Sequence, residues 1–379
     1  MLQRNKKSAV LQRLANFPAV FLVGPRQCGK TTLAKTLSDC YYDLEIERDR
    51  LKLDLDWPSL MERPGLIILD EAQSFPEVFP RIRSAIDSNR PARGRFLLLG
   101  SIAPSLMSEV SESLAGRAAL VELTPLTLSE EAESKLDELW RFGGFPEGGI
   151  LDPSRYPLWQ ESYLQLLTQR DLPNLGLPAK PLTTERLLRM IAAVHAQEWN
   201  ASKIGGSLGI NYQTVNSYLE FFHAAFLTRA ISPFETNLKK RLVKRPKLYM
   251  RDSGLLHSLL GIARNQDILA QPWVGASWEG FVIEQIMMHL DTADGTPTPH
   301  FLRSGDAEID LVLRYRGEIW AFEIKLTSEP TREHIRHLRS LGAAIGAKRK
   351  ILVHSGTMRQ QSEECEVLAL RDVLGEISA

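Results

Sequence analysis

The sequence predicts an α/β protein that opens on a buried parallel sheet, and three observations predict it. Residues 19–23 (Ala-Val-Phe-Leu-Val), 66–69 (Leu-Ile-Ile-Leu) and 96–99 (Phe-Leu-Leu-Leu) are short, continuous apolar runs, the pattern of strands covered on both faces. Segments of helical length separate them, as parallel connections require. A glycine-containing loop ends the first run and leads into a helix-favouring stretch.

Further elements follow in chain order. Ala119 to Leu123 is a fourth strand candidate, and Gly143-Gly144-Phe145-Pro146 punctuates the chain near residue 145. Residues 155–230 read as helices, with apolar repeats such as Leu164 and Leu167, then Leu187, Ile191 and Val194. Residues 277–354 return to mixed periodicity: a helix, three strands, a helix from about Thr331, then the strand Ile351-Leu352-Val353. No internal repeat or low-complexity tract interrupts this order.

Composition removes several classes. With 44% hydrophobic and 24% charged residues in 379, the chain is neither disordered nor collagen-like and is long enough for two or three domains. Cys28, Cys40 and Cys365 are the only cysteines, a set that argues for a reducing compartment. The opening Met-Leu-Gln-Arg-Asn-Lys-Lys has no apolar stretch behind its charges, and nowhere do about 18 uncharged apolar residues run together. A cytoplasmic location without a membrane span is expected. Net charge is zero, yet residues 1–150 hold 19 Lys+Arg against 21 Asp+Glu, residues 151–270 hold 15 against 9, and residues 271–379 hold 12 against 16. A polyanion would meet the basic middle first.

Residues Gly24, Pro25, Arg26, Gln27, Cys28, Gly29, Lys30 and Thr31, followed by Thr32, match G-x-x-x-x-G-K-[ST] between a strand and a helix. The loop's backbone N–H groups and the helix N-terminus suit phosphate oxygens. Lys30 would reach the β and γ phosphates, and the Thr31 hydroxyl would bind Mg²⁺. The second apolar run ends in Asp70-Glu71: Asp70 to hold the Mg²⁺ shell, Glu71 to polarise the attacking water. ATP and Mg²⁺ are therefore the expected cofactors, and ATP hydrolysis the expected chemistry. Ser101, after the third strand, is either a γ-phosphate sensor or a turn serine. Arg117, before the fourth, is either a finger toward a neighbouring subunit's nucleotide or half of a surface salt bridge. Cys28, inside the loop, is either a tolerated small residue or one whose helix-N-terminal position lowers its thiol pKa.

Residues 201–219 have helix-turn-helix spacing. Ile204, Leu208, Ile210, Val215 and Leu219 form the inner face, Gly205 allows close helix approach and Gly209 makes the turn. The second helix would present Asn211, Gln213, Thr214, Asn216 and Ser217 to phosphates or base edges. Lys239, Lys240, Arg241, Lys244, Arg245, Lys247 and Arg251 follow with no acidic residue among them, which favours DNA contact over a module used only for packing.

Residues 308–325 hold a second constellation. With Arg316-Gly317 as a hairpin tip, Tyr315 pairs with Glu318, Asp310 faces Glu323 and Glu308 faces Lys325. One face carries Ile309, Leu311, Leu313, Trp320, Phe322 and Ile324; the other carries Asp310, Val312, Ala321, Glu323 and Lys325. Facing carboxylates repel unless a cation lies between them, so Asp310 and Glu323 suggest a second Mg²⁺ site, with Lys325 orienting a water and Glu279 adding a carboxylate. The blander alternatives are a Lys325–Glu308 pair and a solvent-facing Glu279.

The chain resembles the AAA-type prokaryotic ATPases that carry a C-terminal domain of unknown function with a PD-(D/E)XK nuclease-like core. The resemblance covers nearly the whole sequence. It rests on Gly24 to Thr32, Leu69 to Gln73, Gly100-Ser101, Ser113 to Arg117 and Gly144 to Glu147. It extends through Arg170-Asp171-Leu172 and Arg251 to Leu256, then Asp310 to Lys325. It implies an AAA-type P-loop NTPase core over 1–145, a helical lid or linker over 146–184, a winged helix-turn-helix with its basic stretch over 185–256, and a PD-(D/E)XK-like α/β domain over 257–379. It raises Arg117 as a finger and Ser101 as a sensor, and it likens Glu279, Asp310, Glu323 and Lys325 to a nuclease site that cleaves or only binds. The leading expectation is a homo-oligomeric, Mg²⁺-dependent ATPase, a hexamer among the options, acting on duplex or branched DNA. A nucleotide-gated oligomeric switch that binds protein partners is the alternative.

Overall fold

The computed structural model describes residues 4–100, 114–130, 135–178, 180–234, 245–264, 266–290 and 297–378. It divides into two compact units: residues 1–126 with 170–178 and 220–226, and the remainder.

In the first unit, β1 (Ala19–Val23), β2 (Tyr41–Asp43), β3 (Ile67–Asp70), β4 (Phe96–Gly100) and β5 (Ala118–Glu122) form a wholly parallel sheet in the order β2-β3-β4-β1-β5. The helices are α1 (Lys6–Asn16), α2 (Lys30–Ala34), α3 (Glu47–Glu62) and α4 (Val78–Ser88). Alternation along β1 explains its unbroken apolar run. Phe21 and Val23 pack with Leu53 of α3 and Phe79 and Ile82 of α4, while Val20 and Leu22 pack with Val10 and Leu14 of α1 and Leu33 of α2. Both faces are covered, so no position in the strand can be polar. Strand β2, too short to show a period, is not legible in the sequence. Because the sheet is parallel, β1 and β3 end on the same edge, and the loop after Val23 meets Asp70 there.

In the second unit, a nine-stranded sheet runs β13-β14-β12-β11-β10-β9-β7-β8-β6. Its strands are β6 (Gln197–Glu198), β7 (Thr228–Pro233), β8 (Lys247–Met250), β9 (His300–Ser304), β10 (Ala307–Tyr315), β11 (Glu318–Lys325), β12 (Arg349–His354), β13 (Gln360–Gln361) and β14 (Glu366–Ala369). Strand β7 pairs antiparallel with β8 and parallel with β9, through Ser232 opposite His300. The sheet thus continues across residue 256, and the stretches expected as lid, winged helix and nuclease-like domain lie in one compact unit apart from residues 170–178 and 220–226, which belong to the first.

The hairpin closes at Arg316 and Gly317, both with positive φ (50° and 79°), the geometry of a tight two-residue turn. Tyr315 faces Glu318 and Leu311 faces Phe322, the register the sequence predicts. One expectation fails. Against β9 the register of β10 shifts between Ile309 and Val312, and a bulge there moves the following residues to the other face. Ile309 therefore packs with Val312, Ala321 and Leu352 rather than with Leu311 and Leu313.

Two buried histidines make this unit acid-sensitive. His257 hydrogen-bonds through Nδ1 to the Arg141 carbonyl (2.9 Å) and through Nε2 to the Ser277 hydroxyl (2.7 Å), which accepts from Trp140 Nε1. Burial lowers His257 to about 4 and His195 to about 3. In the unfolded chain both protonate near pH 6.5, so the stability they contribute is present above that pH and is lost as pH falls toward the folded values. The stability gap between the wild type and His257→Gln, measured by urea titration, is expected to narrow by about 2 kcal/mol from pH 7 to pH 5.

Candidate functional site

The phosphate-loop residues occupy the β1–α2 junction, and backbone geometry dictates several of them. Gly24 has φ 152°, and a Cβ there would lie 2.1 Å from the Leu123 carbonyl oxygen. Gly29, at φ 100°, caps α2, and Gln27 is also left-handed at φ 63°. Lys30 is buried and donates to the Gly24 (2.9 Å) and Pro25 (2.8 Å) carbonyls. The Thr31 hydroxyl donates to Asp70 Oδ2 at 2.6 Å, so the two expected Mg²⁺ ligands already touch, while Thr32 beside them is exposed. The Tyr41 hydroxyl donates to the same oxygen at 2.8 Å, and the Glu71 N–H donates to Asp70 Oδ1 at 2.9 Å. This paired, buried carboxylate beside a hydroxyl is a hard oxygen donor set that suits Mg²⁺.

Glu71 is left-handed at φ 48° and accepts from Gln73 Nε2. Burial raises its pKa, against the charges of Arg26 and Lys30. Arg26 is itself held by Asp171 at 2.8 Å, and Arg170 binds the same oxygen at 3.0 Å. Arg4 donates to the carbonyls of Cys28 (2.7 Å) and Thr124 (2.6 Å), tying the loop to the end of β5. Sequence reasoning assigned no role at the site to Arg4, Tyr41 or Asp171. Only Asp171 left a signal, inside the Arg170-Asp171-Leu172 match, because contacts made 145 residues apart leave no period.

The lowered thiol pKa weighed for Cys28 is not found. Its side chain is wholly buried and burial pushes the thiol up, outweighing Lys30 and Arg4. Arg117 forms a two-oxygen ion pair with Asp87 at 3.0 Å, the salt-bridge alternative. Ser101 lies outside the described residues.

After α5 (Leu136–Phe142), α6 (Leu158–Leu166) and α7 (Pro181–Ala193), the helix-turn-helix segment is formed by α8 (Ala201–Leu208) and α9 (Tyr212–Ala224). Gly209 makes the turn at φ 67°, and a Cβ on Gly205 would come 2.5 Å from the Ile210 carbonyl oxygen. Ile204, Val215 and Leu219 are buried. Gln213 is exposed and Thr214 half-buried, its N–H capped by Asn211. Asn216 is exposed and accepts from Trp199 Nε1 at 3.0 Å. Of the basic stretch, Lys239, Lys240, Arg241 and Lys244 lie outside the described residues, and Arg245 is exposed. Lys247 contradicts the DNA-contact expectation. Its side chain is 3% exposed and pairs with Glu279 (3.2 Å) and Glu308, because alternation along β8 turns it inward among carboxylates.

Those carboxylates lie on three elements. Glu279, on the helix Val274–Leu290, comes together with Glu308 and Asp310 of β10, with one oxygen of each within 4.8 Å of the others. The expected Asp310–Glu323 pair is bridged by Lys325, whose Nζ is 2.6 Å from Glu323 and 3.8 Å from Asp310. Lys325 does not reach across to Glu308, which Arg303 and Lys247 take up. Glu279 is not solvent-facing: burial and then Asp310 raise it to about 7, with Lys247 opposing. Burial and Asp310 raise Glu323 to about 8, with Lys325 opposing. Glu308 was legible only as the residue opposite Lys325, not as a member of this cluster.

Family models match in three blocks: an AAA domain over residues 16–132, a domain of unknown function (DUF8612) over 133–266, and another (DUF4143) over 274–373. Two relatives, the uncharacterised proteins Rv2008c of Mycobacterium tuberculosis and Mb2031c of Mycobacterium bovis, are 37% identical over 366 residues, covering 95% of this chain and 81% of theirs. Among solved structures, a STAND protein with a tetratricopeptide-repeat sensor from Pyrococcus horikoshii aligns at TM-score 0.29 and 11% identity over 78% of this chain and 46% of that one. The DNA clamp loader delta protein of Bacillus subtilis aligns at TM-score 0.23 and 11% identity, over 57% and 88%. Superpositions this loose carry no argument. No helix among the described residues is long and apolar enough to cross a membrane.

Proposed function

The chain belongs to the family of the mycobacterial proteins Rv2008c and Mb2031c, and from that premise we propose that it is a Mg²⁺-dependent ATPase whose AAA domain drives action on duplex or branched DNA. The observation that carries the nucleotide half is the Thr31–Asp70 bond beside a buried Lys30 at the mouth of the loop. Bound Mg²⁺ would neutralise phosphate charge there. Lys30 exchanges the Gly24 and Pro25 carbonyls for the β and γ phosphates, and Glu71 takes the proton of the attacking water. Ser101 senses the γ-phosphate. Arg117 serves a neighbouring subunit in a homo-oligomer only after leaving Asp87.

For the DNA half, support comes from the exposed polar side of α9, with Gln213, Thr214 and Asn216, and from the basic residues Lys239, Lys240, Arg241, Lys244 and Arg245. Two observations favour the alternative, a nucleotide-gated oligomeric switch for protein partners. Lys247 is turned inward and the Asn216 carbonyl is bound by Trp199, which thins the DNA-facing set.

Steady-state phosphate release with Mg²⁺, with and without four-way-junction or duplex DNA, decides between them. The expected result is turnover abolished by Lys30→Ala and stimulated by DNA, with the strands intact on a denaturing gel. Turnover indifferent to DNA selects the switch. Strand scission lost in Asp310→Ala would make the second unit a nuclease.

A further inference from the structure

The resemblance implies a divalent cation among the carboxylates of the second unit, and the donors there do not fit one. Mg²⁺ needs oxygen ligands in near-octahedral geometry at about 2.0–2.1 Å and keeps several waters. Here one oxygen of Glu279, both of Glu308 and one of Asp310 are taken by protein donors, while Glu323 Oε2 is buried without a partner. Glu279 Oε1 accepts from Lys247 Nζ (3.2 Å) and from the Tyr249 hydroxyl (2.5 Å). Glu308 is ion-paired through Oε1 to Lys247 and through Oε2 to Arg303. Asp310 Oδ2 accepts from the Ile324 N–H at 2.8 Å, and Lys325 bridges it to Glu323.

The supply of these donors follows from strand geometry. Lys247 and Tyr249 are two apart on β8 and so project to one face, where both meet Glu279. The Lys247 ammonium is 3% exposed. A lysine is almost never buried this deeply unless fully paired, and this one has two carboxylates against it.

We propose that Lys247, and not a divalent metal ion, is the resident cation of the Glu279–Glu308–Asp310 cluster, so that this site is closed to metal in the folded chain. A tethered ammonium competes with free ions at high effective concentration, and a metal could enter only by displacing a side chain already desolvated among its partners. The inference holds whether or not the chain hydrolyses ATP or meets DNA.

The test uses the full-length, nucleotide-free chain carrying Asp70→Asn, which removes the metal ligand in the phosphate loop. Mn²⁺ binding is followed by the electron-spin signal of the free ion. Expected are no Mn²⁺ bound at the second unit in this parent, a new Mn²⁺ site in Lys247→Gln at least about tenfold tighter than anything in the parent, and its loss when Glu308→Gln is added. A parent that binds Mn²⁺ through Glu308, or a folded Lys247→Gln that gains no site, overturns the proposal. Should Lys247→Gln fail to fold, amine labelling of the unaltered protein replaces it. Lys247 is expected to stay unlabelled with and without millimolar Mn²⁺, and labelling that rises on adding Mn²⁺ would refute the idea.

Discussion

Glu71→Gln is expected to leave ATP binding intact and to reduce turnover by about 10²–10⁴-fold, the contribution of a positioned general base. Glutamine keeps the side chain's shape and its contact with Gln73 but cannot take a proton from water. The position is specialised: Glu71 holds a left-handed backbone at the end of β3, next to the Asp70 that binds Thr31. Burial raises its pKa, with Arg26 and Lys30 opposing, the direction that makes a carboxylate a stronger base. Fluorescent-nucleotide binding alongside single-turnover phosphate release checks both halves. Undiminished release would move the water-activating role to another residue, and lost binding would mean that the change had disturbed the loop itself.

The second large effect is on stability. Glu284 is 2% exposed, and its two oxygens take Arg229 and Arg251, the latter at 3.1 Å. Burial pushes its carboxyl up, but the two guanidinium groups outweigh it and hold the pKa below the usual range. Glu284→Leu removes the buried carboxylate that the Arg229 and Arg251 guanidinium groups share. The expected loss is about 3–5 kcal/mol, the usual consequence of breaking a buried pair from one side. That is a large share of a domain's stability of about 5–15 kcal/mol. The urea midpoint of the full chain measures it. Replacing all three residues by apolar ones of similar volume is the control that separates an uncompensated charge from a packing defect.

Much of the scaffold around the nucleotide site is local in the chain. Residues 19–23 can only be a strand covered on both faces, and the eight residues from Gly24 to Thr31 carry the turn, the donors and the hydroxyl that phosphate binding asks for. Their positions followed from periodicity and spacing because backbone sterics and burial act over a few residues. The helix-turn-helix and the hairpin register were legible for the same reason. Gly209 and Arg316-Gly317 set their turns, and alternation then ordered everything up to the bulge near Ile309.

Charge pairing was not legible, and there the sequence misled. Lys247 stands in a run of basic residues that, read along the chain, looks like a polyanion-binding face. Folded, it turns into Glu279, 32 residues away on a helix, and into Glu308, on the strand three places along the sheet. Arg26 likewise reads as a loop residue free to meet phosphate, yet Asp171 holds it. By itself the sequence determined the strands β1, β3, β4 and β5, where the phosphate loop and its acidic partner lie, and where the hairpin turns. Only the tertiary structure decided which cation neutralises which carboxylate. A charge's partner is chosen by distance and burial, and both are set by how the elements pack rather than by order along the chain.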